Sequence, residues 1–293
     1  VSCFGPRGSS SPRGAELSRV RGGALLVAFA LLGCGALRGG ARDPGTPERP
    51  AARIDQPIHA AASVMEPRDA LAPHGGVVAA ANPLAAEAGA EMLRRGGSAF
   101  DAAVATALVL GVVEPQSSGI GGGGFAVFRV QAGEVTTLDF RETAPGYVTP
   151  DGFVSHPERS SARGPFAVGV PGEVAGLGAL HALGGLLPFA EVVEPARKLA
   201  ADGFAVGPEL AAALLATQDR VLADAGMRTD FAPAGAVLAE GGICRRAALA
   251  DTLEYLQQHG PAGFYAGPVA ARMVGFLRKG GAPITEEDFA GYR

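Results

Sequence analysis

The 293-residue sequence contains no tryptophan, and only 6 % of its residues are aromatic. That is poor material for a sugar- or base-stacking platform, where aromatic faces supply the contact. Cysteine occurs three times, at Cys3, Cys34 and Cys244, far apart and without paired spacing. A disulfide scaffold and a cysteine-rich zinc site are therefore not expected. A basic excess is also missing: 25 Lys and Arg stand against 29 Asp and Glu, so the chain lacks the charge footprint of a nucleic-acid binder. No uncharged apolar run approaches the ~20 residues of a membrane-spanning helix. His59, His74, His156, His181 and His259 are scattered, with no H-E-x-x-H and no i, i+4 pair, so neither a metal nor any other cofactor is expected. What is abundant is apolar content, 47 %, together with 44 glycines and 22 prolines. That is the composition of a globular core cut by many tight turns.

The N-terminus looks like an address. Arg7, Arg13, Arg19 and Arg21 precede the apolar residues 24–32, a stretch about 14 Å long as a helix and too short to span a bilayer. A basic segment, a short apolar core and small residues in succession form the pattern of a secretory signal. The core runs into Leu31-Leu32-Gly33-Cys34, which resembles a bacterial lipobox with Cys34 as the lipidated residue. Residues 1–34 are thus expected to be a signal peptide, and the protein to be exported to the periplasm or cell envelope with a lipid anchor at Cys34. Residues 35–73, rich in breakers and without hydrophobic period, read as a disordered tether. The folded part is assigned to 74–293.

That part opens on a short strand at 76–80. Asn82 is placed to cap a following helix and Pro83 suits its first turn. Leu84, Ala88 and Met92 should share its apolar face. Ser98 and Asp101 offer a capping box for a second helix, about 99–113, apolar all round and so expected to be buried. Residues 125–130 and 135–140 read as a hairpin. Beyond residue 170 the chain turns helical, with Glu194 and Lys198 paired across one turn and Gly203 closing that helix. Leu249, Leu253 and Leu256 mark another helix, and Thr285 starts a further one.

Gly119-Ile120-Gly121-Gly122-Gly123-Gly124 satisfies G-x-G-x-x-G, but a helix precedes it and a strand follows. A dinucleotide fingerprint needs the reverse order, so nucleotide binding is not expected. The glycines either permit a sharp turn or let a facing segment or a ligand approach closely. Cys244 lies beside Arg245 and Arg246, which could depress its pKa, yet no base partner is evident. Arg141, just past the second hairpin strand and near the glycine loop, is well placed to present a rigid guanidinium to a carboxylate. An ion pair with Asp139 or Glu142 is the plainer reading of the same residue.

Three long motifs change that balance. Residues 96–105 (Gly96-Gly97-Ser98-Ala99-Phe100-Asp101 onward), 114–125 (Glu114-Pro115-Gln116 through the glycine loop) and Asp139-Phe140-Arg141-Glu142-Thr143-Ala144-Pro145 closely resemble γ-glutamyltranspeptidases. Gly169-Val170-Pro171-Gly172, residues 195–203, 260–267 and Ile284-Thr285-Glu286-Glu287-Asp288 match in the same order. The resemblance implies an α+β, N-terminal-nucleophile hydrolase fold, an αββα sandwich with two sheets between helical layers, incomplete in this chain. It also implies a precursor that cleaves itself and exposes a threonine as the first residue of a small subunit. That hydroxyl attacks γ-glutamyl amides such as glutathione and passes the group to water or to an amino-acid or dipeptide acceptor. In this scheme Arg141 holds the α-carboxylate of the glutamyl group.

The Thr-Thr-His cleavage motif of the family does not occur within residues 1–293, and Thr136-Thr137 is followed by Leu138. The nucleophile is therefore expected downstream of Arg293, and these residues alone are expected to be inactive without the small subunit. Two other readings stay open: an acylase of β-lactam side chains on the same fold, and a non-enzymatic envelope lipoprotein.

Overall fold

The structure is a computed structural model that describes residues 2–4, 26–30, 76–129, 133, 135–156 and 158–293. Cys34 and the expected tether 35–73 lie outside the described residues. Five strands, β1 (Ser2–Phe4), β2 (Leu26–Ala30), β3 (Val77–Ala79), β4 (Phe125–Arg129) and β5 (Val135–Asp139), form one sheet in the order β3-β1-β2-β4-β5. Every neighbouring pair is antiparallel. Leu26–Ala30, expected as the core of an export signal, pairs here with β4 from Leu26↔Arg129 to Ala30↔Phe125.

On this sheet sit α1 (Pro83–Arg94) and α2 (Ala99–Val113). The Asn82 side chain accepts from the Leu84 amide at 3.0 Å and Pro83 opens α1, as its sequence demands. The apolar face is rotated from the expected one: Ala85, Ala88, Gly89 and Met92 are buried, whereas Leu84 is exposed. Close packing explains the shift. A side chain at Gly89 would strike Thr106 Oγ1, so the α1–α2 contact runs through the small residues and turns Leu84 outward. Ser98 and Asp101 form the expected capping box, and all fifteen residues of α2 are buried. Each large apolar side chain so buried contributes about 1.5–3 kcal/mol, which makes α2 the axis of the core.

Nine helices follow beyond residue 170, with a two-stranded ribbon: α3 (Glu173–Gly184), α4 (Phe189–Asp202), β6 (Phe204–Ala205), α5 (Pro208–Ala216), α6 (Gln218–Ala223), α7 (Ala225–Phe231), β7 (Ile243–Cys244), α8 (Ala247–His259), α9 (Ala262–Tyr265), α10 (Pro268–Lys279) and α11 (Glu286–Ala290). Helices α3 and α4 pack on α2, and α8 packs on α4. In α4, Glu194 takes a two-pronged pair from Arg197, both contacts at 2.7 Å, in place of the expected Lys198. The arginine fork matches both carboxylate oxygens, which a lysine cannot do. Gly203 ends α4 at φ 93°, a conformation that favours glycine.

Candidate functional site

Arg141 emerges from the core at the end of β5, after buried Phe140. Its backbone is held from two sides. The Arg141 amide donates to Asp139 Oδ1 at 2.9 Å, and the Tyr292 hydroxyl donates to the Arg141 carbonyl at 2.9 Å. A third constraint comes from the glycine loop. Gly124 and Phe140 exchange hydrogen bonds at 3.3 and 3.0 Å, extending the β4–β5 ladder. A Cβ at Gly123 would overlap the Phe140 carbonyl and lie 2.9 Å from Arg141 Cα and 3.0 Å from the Glu142 amide nitrogen. Of the two readings of these glycines, close approach of a facing segment is what Gly123 serves.

The same loop seats α3. The Gly122 carbonyl accepts from the Gly172 and Glu173 amides at 2.8 and 2.9 Å, satisfying donors that a helix start leaves orphaned. Strand end, glycine loop and helix start thereby enclose a cleft of about 390 Å³. It is lined by residues 115–123 with Gly111, Arg141, Glu142, Glu173, Arg246 and Leu249.

The ion-pair reading of Arg141 holds for Glu142 and not for Asp139. Its Nη2 lies 3.2 Å from Glu142 Oε2, while Asp139 takes only the backbone amide. Its side chain is nonetheless 32 % exposed and lines the cleft. The guanidinium stands 5.9 Å from the centroid of the Phe125 ring, a weak cation–π contact. Five N–H donors exceed what one carboxylate oxygen takes up, so the fork keeps donors for a planar anion.

Glu173, Arg246 and Tyr292 are cleft or framework residues that sequence reasoning passed over. Glu173 is 3 % exposed, and its Oε2 has no hydrogen-bond partner among the described residues. Burial, with the Glu142 charge adding to it, pushes the Glu173 carboxyl up to about 8. Its place at the start of α3 works the other way, but a helix dipole favours an anion by only about 0.3–1 kcal/mol, and desolvation wins. Arg246 Nη1 donates to the carbonyls of Gly111 and Val112 at 2.8 and 3.2 Å, placing a cation at the C-terminus of α2. Its Nε stands 3.5 Å from Asp230 Oδ2, within ion-pair range but without a hydrogen bond.

Cys244 corrects the expectation drawn from its arginine neighbours. The residue is fully buried, and its thiol is pushed up to about 11 because desolvation outweighs the Arg246 charge. Thr136 and Thr137 lie exposed on β5. A second groove, lined by Val168, Phe264, Met273 and Phe276 among others, is mostly apolar, so the charged chemistry belongs to the first cleft.

Residues 85–293 match the family model for γ-glutamyltranspeptidase. The chain belongs to the γ-glutamyltranspeptidase family. Among its relatives, glutathione hydrolase 2 of Arabidopsis thaliana is 42 % identical over 231 residues, covering 79 % of this chain and 40 % of that protein. The chain thus spans about two-fifths of that relative's length. The crystal structure of Helicobacter pylori γ-glutamyltranspeptidase superposes with a TM-score of 0.71 at 37 % identity, covering 74 % of this chain and 64 % of that one. A cephalosporin acylase from Bacillus halodurans superposes with a TM-score of 0.67 at 35 % identity, over 72 % of this chain and 41 % of that one. The fold is accordingly an N-terminal-nucleophile hydrolase fold in incomplete form. Against that family background, the Asp-Phe-Arg-Glu motif is the end of β5, and the glycine-rich motif is the wall that fixes it.

Proposed function

We propose that the protein to which these residues belong cleaves γ-glutamyl amides, glutathione among them, and transfers the γ-glutamyl group to water or to an amino-acid or dipeptide acceptor. The observation that carries this reading is Arg141, fixed through its backbone at the rim of a charged cleft within a γ-glutamyltranspeptidase-family chain. In the proposed reaction the Arg141 fork holds the α-carboxylate of the donor. A threonine hydroxyl supplied downstream of Arg293 attacks the γ-carbonyl carbon. The C–N bond breaks, the amine leaves with the proton of that hydroxyl, and a γ-glutamyl ester forms. Water or an acceptor amine then attacks the ester and restores the hydroxyl.

The test is release of p-nitroaniline from γ-glutamyl-p-nitroanilide by the parent protein, with glutaryl-p-nitroanilide as the comparison. Preference for the γ-glutamyl compound is expected. Preference for the glutaryl amide, which lacks the α-carboxylate and amine, would favour the second reading, an acylase of β-lactam side chains. That reading draws on the similarity to the cephalosporin acylase. Arg141 argues against it, because its fork would then have no α-carboxylate to hold.

Export and lipidation at Cys34 are part of the same proposal, supported by the basic, apolar and small-residue succession of residues 7–34. Removal of residues 1–33 would also remove β1 and β2, which join β3 to β4. The two fates exclude one another in a single molecule. Intact mass and N-terminal sequencing of membrane-extracted protein should find Cys34 acylated at the mature N-terminus. A soluble mature form that retains Leu26–Ala30 would refute the anchor.

A further inference from the structure

Glu173 carries a contradiction that the proposed reaction leaves unused: a buried carboxyl in a charged cleft whose Oε2 meets no donor among the described residues. The groups around it come from four elements. Glu142 after β5, Tyr265 of α9 and Tyr292 beyond α11 act on it electrostatically, and Arg141 after β5 and Arg246 before α8 line the same cleft. None of them donates to Glu173 Oε2 among the described residues. The Tyr265 hydroxyl donates to the Pro171 carbonyl at 2.9 Å and accepts from the Ala175 amide at 3.1 Å. The Tyr292 hydroxyl donates to the Arg141 carbonyl, Arg246 Nη1 caps α2, and Arg141 pairs with Glu142. The Gly172 and Glu173 amides both point to Gly122. An ionised Glu173 would be an unpartnered buried anion beside a second carboxylate, and a proton removes both costs.

We infer that Glu173 is a positioning residue: an uncharged buried carboxyl that leaves the Arg141–Glu142 pair balanced, so that Arg141 can still attract the α-carboxylate of a γ-glutamyl donor. This rests on the reading of Arg141 as the donor's anchor. With Arg246 set against Asp230 and Arg141 against Glu142, loss of the Glu173 proton leaves the cluster with a net negative charge. That charge draws on the Arg141 guanidinium and repels the incoming carboxylate, so donor binding weakens while the bond-breaking step, which Glu173 does not touch, is spared.

Two measurements on the parent protein decide this. Infrared titration should show a protonated-carboxyl band in the wild type that disappears with a midpoint near pH 8. The band should be missing in Glu173→Gln and shifted to lower pH in Glu142→Gln, where the neighbouring like charge is gone. In parallel, KM for γ-glutamyl-p-nitroanilide should rise about fivefold across that midpoint with kcat little changed, a rise that one added charge at cleft distance can supply. Glu173→Gln should lack the rise. Absence of the band at pH 7, no shift in Glu142→Gln, or an unaltered KM limb in Glu173→Gln overturns the inference. If no p-nitroaniline is released at any pH, the functional reading fails instead, and the infrared series still decides whether Glu173 is uncharged and coupled to Glu142.

Discussion

The charge state of Glu173 also has a consequence for stability that needs no substrate. Its carboxyl is pushed from the ordinary 4.5 up to about 8 on folding. Between those values the native chain binds a proton that the unfolded chain has released, so stability falls as pH rises, by up to about 1.4 kcal/mol per pH unit. Below 4.5 both states are protonated and the cost vanishes; above 8 it is fully present. Between pH 5 and pH 7.5 the loss from this one residue integrates to about 3 kcal/mol. With a urea m-value of about 2–3 kcal/mol/M for a chain of this size, the unfolding midpoint should fall by about 1–1.5 M over that interval. Glu173→Gln removes the titration. Its amide brings unpaired donors of its own, costing about 1–3 kcal/mol at every pH, so the slope and not the absolute stability is diagnostic. Urea unfolding of wild type and Glu173→Gln at both pH values gives the comparison, and titrations elsewhere cancel in the difference. Parallel pH dependence in the two proteins would refute a buried neutral Glu173.

Other substitutions test the remaining parts of the site. Arg141→Lys loses the planar fork, so KM for γ-glutamyl-p-nitroanilide should rise about ten- to a hundredfold, the equivalent of one charge-assisted hydrogen bond; unchanged kinetics would leave Arg141 only as the partner of Glu142. Gly123→Ala forces a methyl against the Phe140 carbonyl and the Arg141 backbone, and overpacking of this kind costs about 1–3 kcal/mol, so thermal melting should fall and KM rise together; a neutral result would deny the loop its part in fixing Arg141. With Cys3 and Cys34 replaced by serine, the Cys244 thiol, buried and pushed up to about 11, should resist alkylation at pH 8 until urea unfolds the chain. Prompt reaction in the native state would show that Cys244 is accessible.

Features with local causes were legible in the sequence. Asn82 and Pro83 start α1, Ser98 and Asp101 cap α2, and the all-apolar 99–113 segment is buried. What failed depended on partners far along the chain. Ala85 faces inward in place of Leu84 because Gly89 lets α1 settle on Thr106 of α2. The neighbours Arg245 and Arg246 suggest a lowered Cys244 pKa, but Cys244 lies within β7 with its side chain fully buried, and desolvation outweighs the nearby charge. Glu173 looks in sequence like an ordinary acidic residue in the first turn of a helix. Only the folded chain brings it beside Glu142. The one available hint was its position directly after Gly169-Val170-Pro171-Gly172, a motif the chain shares with its family.

The framework around Arg141 separates two ways in which the proposed donor anchor can fail. Its guanidinium supplies the chemistry, whereas its position depends on Asp139, Gly123 and Tyr292, which reach its backbone from a strand, a loop and the chain end. Loss of the fork removes an interaction with the donor but leaves the peptide unit where it was, so the donor that does bind still meets the nucleophile in register. Loss of a framework contact keeps the charge and moves it. Misplacement by about 1 Å can cost a hundredfold in rate, since the reacting atoms lose their alignment. The first defect therefore falls on KM, and the second on kcat as well. A cleft whose anchor is held through its backbone by remote elements thus links specificity to folding of the whole chain, and that linkage accounts for a glycine and a tyrosine 169 residues apart serving one arginine.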